Sequence, residues 1–145
     1  ESMLGYRISL IGLPGVGKSC LSLRFTLNQF DIEHDEVPEE CYRKSLYENG
    51  KYLTVEIYDS SENKGSSSWN SQKHLALWTA DAIVFVFSIT SQKSFEYIQK
   101  RISEMFPSNT FPCPVAIIAT KADLEEQREV SYVESTHYAL RLGVP

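Results

Sequence analysis

The eight residues Gly12-Leu13-Pro14-Gly15-Val16-Gly17-Lys18-Ser19 constrain this chain more than any other stretch, because they complete the pattern G-x-x-x-x-G-K-[ST] between an apolar run and a helical one. The glycines let consecutive backbone N–H groups converge without Cβ obstruction, and the helix that follows adds the positive end of its dipole. Such a loop wraps a polyphosphate. Lys18 is placed to reach the outer phosphates, and the Ser19 hydroxyl to ligate Mg²⁺, a hard cation that takes few protein oxygens and keeps several waters. The plainer alternative is a glycine-rich turn that happens to carry a lysine; the strand–loop–helix setting favours the phosphate loop.

A chain of 145 residues with 42% hydrophobic residues fits one domain and can bury a sizeable core. Fourteen basic against nineteen acidic residues give a net charge of −5, which argues against broad binding to nucleic acid. Cys20, Cys41 and Cys113 form neither a C-x-x-C pair nor an even set, so no disulfide framework or zinc site is indicated and a reducing, cytoplasmic setting is expected. No apolar run approaches the ~20 residues of a membrane span; peripheral attachment to a membrane stays open.

Arg7–Ile11 reads as a buried strand, and a helix is expected from about Lys18, with Leu21, Leu23, Phe25, Leu27 and Phe30 among polar residues. The acidic stretch 31–40 contains Pro38 and has no period, so it reads as an exposed loop. Cys41–Tyr47 and Tyr52–Tyr58 flank Glu48-Asn49-Gly50-Lys51, the signature of a β-hairpin. After Asp59, residues 60–68 offer almost nothing to bury and are expected to be mobile, and 69–80 suit a helix. Ala82–Ile89 is a continuous apolar run, as in a strand buried on both faces. Phe95, Ile98, Ile102 and Met105 or Phe106 follow helical spacing behind Thr90 and Ser91 as caps, and Pro107 marks the stop. Val115–Ala119 is another buried strand leading into Thr120-Lys121-Ala122-Asp123. A last helix carries Val133, Tyr138, Ala139 and Leu142, with Gly143 at its end.

Alternating strands and helices predict an α/β domain with a mostly parallel sheet, one antiparallel hairpin edge and helices on both faces, binding its ligand beyond the carboxyl ends of the strands. Gly12–Ser19, Asp59 and Thr120–Asp123 all fall at such ends. That placement predicts one site assembled from separate loops.

With these residues in place the chain resembles the Ras superfamily of small GTPases, as a Ras/Rab-like G domain, over nearly its whole length. Gly12 to Ser19 matches the family's phosphate loop, and Thr120-Lys121-Ala122-Asp123 resembles its [NT]-K-x-D motif. A carboxylate at Asp123 can accept both the N1–H and the exocyclic amine of guanine, a donor pair that adenine lacks. The resemblance implies a P-loop NTPase G domain that binds GTP or GDP with Mg²⁺ held by Ser19 and Asp59. It implies nucleotide contacts from Gly12, Leu13, Pro14, Gly15, Val16, Gly17, Lys18, Ser19, Cys20, Phe30, Thr120, Lys121, Asp123 and Leu124. Phe30 would flank the guanine ring, and Lys121 would lie along the base and brace the phosphate loop. The Cys20 thiol itself is expected to be buried and inert.

The departures from the family pattern fall on the switching and catalytic parts. Val37 stands where the family places a threonine that completes the Mg²⁺ shell, a loss worth about 1.5–3 kcal/mol for a charge-assisted contact. Where the family reads D-x-x-G-Q, this chain reads Asp59-Ser60-Ser61-Glu62-Asn63. Glu62 brings negative charge towards phosphate, and Asn63, the candidate for positioning the attacking water, is one methylene shorter than glutamine. Pro14 removes one N–H from the phosphate loop. Hydrolysis of GTP is therefore expected to be weak or absent. The family's last strand, its [ST]-A-[KL] loop and its final helix would follow Pro145, so residues 1–145 read as one G domain that is truncated there or completed by a neighbouring domain. Two functions remain open: a guanine-nucleotide-binding domain with impaired Mg²⁺ and γ-phosphate sensing, and a pseudo-GTPase module that binds protein effectors or a neighbouring domain through its switch loops whatever its nucleotide state. His74 and His137 have no acidic or cysteine partners at metal-ligand spacing, and His34 stands where many family members carry a tyrosine of the first switch, with an exposed loop histidine as the plainer reading.

Overall fold

Apolar, β-branched runs build the sheet of this protein, and the computed structural model describes residues 4–28, 41–59, 77 and 79–145. Strand β1 (Leu4–Ile11) leads through the glycine loop into helix α1 (Lys18–Leu27). Strands β2 (Cys41–Glu48) and β3 (Lys51–Asp59) follow, then β4 (Ala82–Ser88), helix α2 (Gln92–Met105) and strand β5 (Val115–Thr120). A 3₁₀ turn (Ala122–Gln127) and helix α3 (Tyr132–Leu142) complete the described elements. The strands lie in the order β2-β3-β1-β4-β5, parallel except for the β2–β3 hairpin. β1 starts three residues before its apolar run, because pairing with β3 continues to Leu4 opposite Leu53. The expected loop 31–40, the polar stretch 60–68 and most of the expected helix 69–80 lie outside the described residues.

Successive β1 side chains point to opposite faces and so divide the core in two. Leu10 packs with Leu23 of α1 and with Tyr42, Val55 and Ile57. Ile11 packs on the other side with Phe85, Phe87, Phe95, Ile98 and Ile102, the layer made by β4 and α2. In β4, Ile83 and every residue from Phe85 to Ser88 are buried, which is why its run is apolar without alternation. α2 begins where the Ser91 side chain accepts the Ser94 N–H, so Ser91 and not Thr90 is the cap. α3 ends at Gly143, whose φ of 69° is the left-handed conformation that closes a helix. Tyr138 is the side chain that α3 buries, edge-on to Phe95 at 5.7 Å, while Val133 is 70% exposed. β1 thus sits where the chain turns from one face of the sheet to the other, the usual place for a ligand crevice in such sheets.

The Asn49-Gly50 turn has positive φ at both residues, 51° and 78°, as a two-residue hairpin loop of this kind requires. It sets Arg43 opposite Glu56, and the parallel pairing of β1 with β3 sets Arg7 opposite the same Glu56. Glu56 receives Arg43 Nη2 and, at 3.5 Å, Arg7 Nε, while the Tyr58 hydroxyl donates to it at 3.3 Å. Burial alone would raise the pKa of Glu56; the Arg43 hydrogen bond and charge, with Tyr58 and Arg7, outweigh it and hold the carboxyl below its ordinary 4.5. A lowered carboxyl pKa adds stability that is fully present above the unfolded value and is lost as pH falls through the folded one. The variant Glu56→Gln is therefore expected to be less stable than the parent by about 1–2 kcal/mol near pH 7. That gap should close as pH drops below 4.5 in urea melts taken across the acid range. A gap constant from pH 7 to pH 3 would rule out this role for Glu56.

Candidate functional site

The loop between β1 and α1 is shaped by its glycines for different reasons. Gly15 and Gly17 have φ of 79° and 100°, conformations costly for any residue with a Cβ. Gly12 has another constraint: a Cβ there would run into the carbonyl oxygen of Val86 in β4 and lie 3.2 Å from Val16 Cγ2. Gly12 lets the loop leave the sheet pressed against the neighbouring strand, while Gly15 has nothing within 4 Å of its Cβ position. The loop is thus anchored on one side and open on the other. Leu13 is half-buried, Pro14 exposed and Val16 buried beneath it.

Lys18, the first residue of α1, is 4% exposed. Its ammonium donates to the carbonyls of Gly12 at 2.9 Å and Leu13 at 3.0 Å, so it curls back under the loop and stiffens it. Asp59 ends β3 opposite Leu10 and is also buried. Its Oδ2 accepts the Ser19 hydroxyl at 2.8 Å, and its Oδ1 lies 3.8 Å from Lys18 Nζ without a hydrogen-bond partner. A buried carboxylate oxygen with no donor, beside a serine hydroxyl, is a donor set suited to a hard divalent cation and its waters. Mg²⁺ therefore fits the residues present, with Ser19 Oγ and Asp59 to hold it. Cys20 is half-buried on the same helical turn.

The third strand end meets the loop directly. β5 pairs with β4 through Ser88 and Thr120, which brings the Thr120 hydroxyl to 2.5 Å from Val16 O and 3.0 Å from Phe87 O. One hydroxyl proton serves one carbonyl at a time, so Thr120 ties the loop to the sheet through a single shared donor. Lys121 is exposed, with φ of 60°. That backbone kink starts the 3₁₀ turn, in which Asp123 is exposed and Leu124 half-buried. The structure so gathers Gly12–Ser19, Asp59 and Thr120 at one end of the sheet, with Lys121, Asp123 and Leu124 on the adjoining turn. Phe30, Val37, Glu62 and Asn63 lie outside the described residues. Two contributors carried no motif signal, the Val86 and Phe87 carbonyls, because any residue supplies a backbone oxygen.

The comparisons with known proteins agree with this arrangement. A family model described as the Ras family matches residues 7–145. The chain is 30% identical over 142 residues to "Ras-like protein rasS" of Dictyostelium discoideum, covering 97% of this chain and 72% of that protein. It is 30% identical over 143 residues to "Ras-like protein 1" of Saccharomyces cerevisiae, covering 97% of this chain and 45% of that one. It is 28% identical over 138 residues to "Ras-like protein rasU" of Dictyostelium discoideum, covering 95% of this chain and 63% of that one. With its phosphate loop, its acidic residue at the end of β3 and a match running from β1 to the last described residue, this chain belongs to the Ras family of small GTPases, nucleotide-binding domains of α/β architecture.

Proposed function

We propose that this domain binds GTP and GDP in preference to adenine nucleotides and hydrolyses GTP slowly or not at all. What supports the binding half is the meeting of the Gly12–Ser19 loop, Asp59 and Thr120 at one end of the sheet, with the Thr120 hydroxyl against Val16 O. In this reading the open side of the loop, around Gly15, receives the phosphates on backbone N–H groups, and Lys18 supplies positive charge from beneath. Asp123 reads the guanine edge through two acceptor oxygens, which an adenine ring cannot satisfy. Ser19 and Asp59 hold Mg²⁺; when bound, that ion spreads the negative charge of the phosphate oxygens.

What supports the slow half is sequence: Val37, Glu62 and Asn63 replace the groups that complete the Mg²⁺ shell, approach the γ-phosphate and position water in the family pattern. Pro14 withdraws one donor from the loop. The domain would then act as a cytoplasmic, atypical signalling protein whose switch loops meet effectors. Identifying the nucleotide that copurifies, followed by a single-turnover hydrolysis assay, tests both halves. Guanine nucleotide with turnover far below that of a regular family member is the expected result. Equal or no affinity for GDP and ADP would refute nucleotide reading and leave the module that binds partners whatever its nucleotide state; fast turnover would refute the impaired chemistry alone.

A further inference from the structure

Thr120 carries the hydroxyl through which the base-reading motif touches the phosphate loop, and the single proton on it bears on what that motif can recognise. The hydroxyl faces two carbonyl acceptors, Val16 O at 2.5 Å in the loop and Phe87 O at 3.0 Å in β4. Val16 and Phe87 are both buried, at 3% and 1% exposed. Turning the proton outward would therefore give up contacts inside the protein for one at its surface, a poor exchange. The side chain is also held in place. Backbone pairing fixes it from β4, where Ser88 stands opposite and the Ile89 N–H donates to Thr120 O at 3.2 Å. On the loop side, a Cβ built at Gly17 would lie 3.8 Å from Thr120 Cβ and 3.9 Å from its Oγ1 and Cγ2. A β-branched side chain so placed has little rotamer freedom.

What remains on Thr120 for a ligand is lone-pair capacity and no hydrogen. The N7 of a purine has a lone pair and no hydrogen either, so only a donor can read it. Asp123, three residues on, offers acceptor oxygens alone, which suit the N1–H and the exocyclic amine on the other edge of guanine. Lys121 is exposed and, in the guanine-binding reading, lies along the base instead of at its edge. Asparagine, the other residue that the [NT]-K-x-D pattern allows at this position, differs in its proton count. Its amide carries two hydrogens, one to hold a loop carbonyl and one to spare for a base.

We infer that this chain selects guanine through the edge that meets Asp123 and leaves N7 unread, with Thr120 as the residue that sets this specificity. The site then takes guanine nucleotides altered at position 7 as readily as GDP. This rests on the guanine-binding reading above. The test is competition against a fluorescent GDP on the nucleotide-stripped full chain, with GDP, 7-deaza-GDP and ADP as competitors. In 7-deaza-GDP a C–H replaces N7, while the N1–H and the amine that Asp123 reads are unchanged. The parent protein is expected to bind GDP and 7-deaza-GDP within about twofold of each other, and ADP far more weakly. Thr120→Asn should open a gap of about fivefold in favour of GDP, the gain of one hydrogen bond. Thr120→Val keeps the shape and removes the hydroxyl, so it should weaken both guanine nucleotides by the same factor, because the loop loses its tie and the base loses nothing. The ratio of the two is thus a readout that a purely structural role for Thr120 would not move. A parent protein that prefers GDP to 7-deaza-GDP by more than about twofold, with ADP weaker still, overturns the inference and leaves guanine binding intact. Equal affinity for GDP and ADP overturns guanine binding and the inference with it. A Thr120→Asn protein that binds GDP with the parent ratio removes Thr120 as the determinant; should that variant fail to fold, the parent ratio alone decides.

Discussion

Replacing Lys18 by methionine is expected to lower affinity for guanine nucleotide by about 100-fold or more, the equivalent of one or two charge-assisted hydrogen bonds. Methionine matches the length of the lysine stem and keeps its packing but removes the ammonium. Two carbonyls then lose their donor, Gly12 O and Leu13 O, and the loop loses the strut that holds its curvature. Asp59, buried and 3.8 Å away, loses its neighbouring positive charge at the same time. Removing one member of a buried charge pair costs about 3–5 kcal/mol, because the other charge stays out of water uncompensated. The variant should therefore bind poorly and also melt earlier. A double variant, Lys18→Met with Asp59→Asn, separates the two effects: it should recover much of the stability and none of the affinity. Fluorescent-nucleotide titration and urea unfolding measure the two quantities. Wild-type affinity in Lys18→Met would remove Lys18 from the site.

Changing Gly12 to alanine should destabilise the fold by about 3 kcal/mol, at the upper end for an added methyl in a packed site. The atom it meets is a backbone oxygen, that of Val86, whose residue is fully buried in β4. A side chain could swing aside; a central strand can yield only by breaking its pairing with β1 and β5. Gly15→Ala is the control, because its Cβ position is empty and only the φ of 79° opposes it, a cost of about 1 kcal/mol. Thermal melts should show Gly12→Ala falling by roughly 10 °C and Gly15→Ala by a few degrees. If the two fell equally, the approach of the loop to β4 would not be what requires glycine at position 12.

Of the fold, local pattern made most legible. The Asn49-Gly50 turn fixed not only a hairpin but its register, so Arg43 opposite Glu56 follows from counting outward from the turn. The alternation-free run in β4 and the Ser91 and Gly143 helix ends were equally readable, because each depends on residues within one element. α3 was less so. Tyr132, Val133 and Leu140 make one apolar side of that helix and Tyr138 lies on another; sequence does not say which one meets the core, and the packing against Phe95 selected Tyr138.

By itself, then, the sequence determined a phosphate loop between a strand and a helix, a guanine-type motif after a later strand, and the order in which they come. Those depend on backbone conformations and side-chain types that neighbours along the chain dictate. Only the tertiary structure decided why position 12 admits no side chain, and that Thr120, 104 residues beyond Val16, links the motif to the loop. It alone set Arg7 beside Glu56 and left the Thr54 hydroxyl without a partner. Each of these is a contact between strands brought together by parallel pairing, whose register no local turn encodes and which exists only once the sheet has closed.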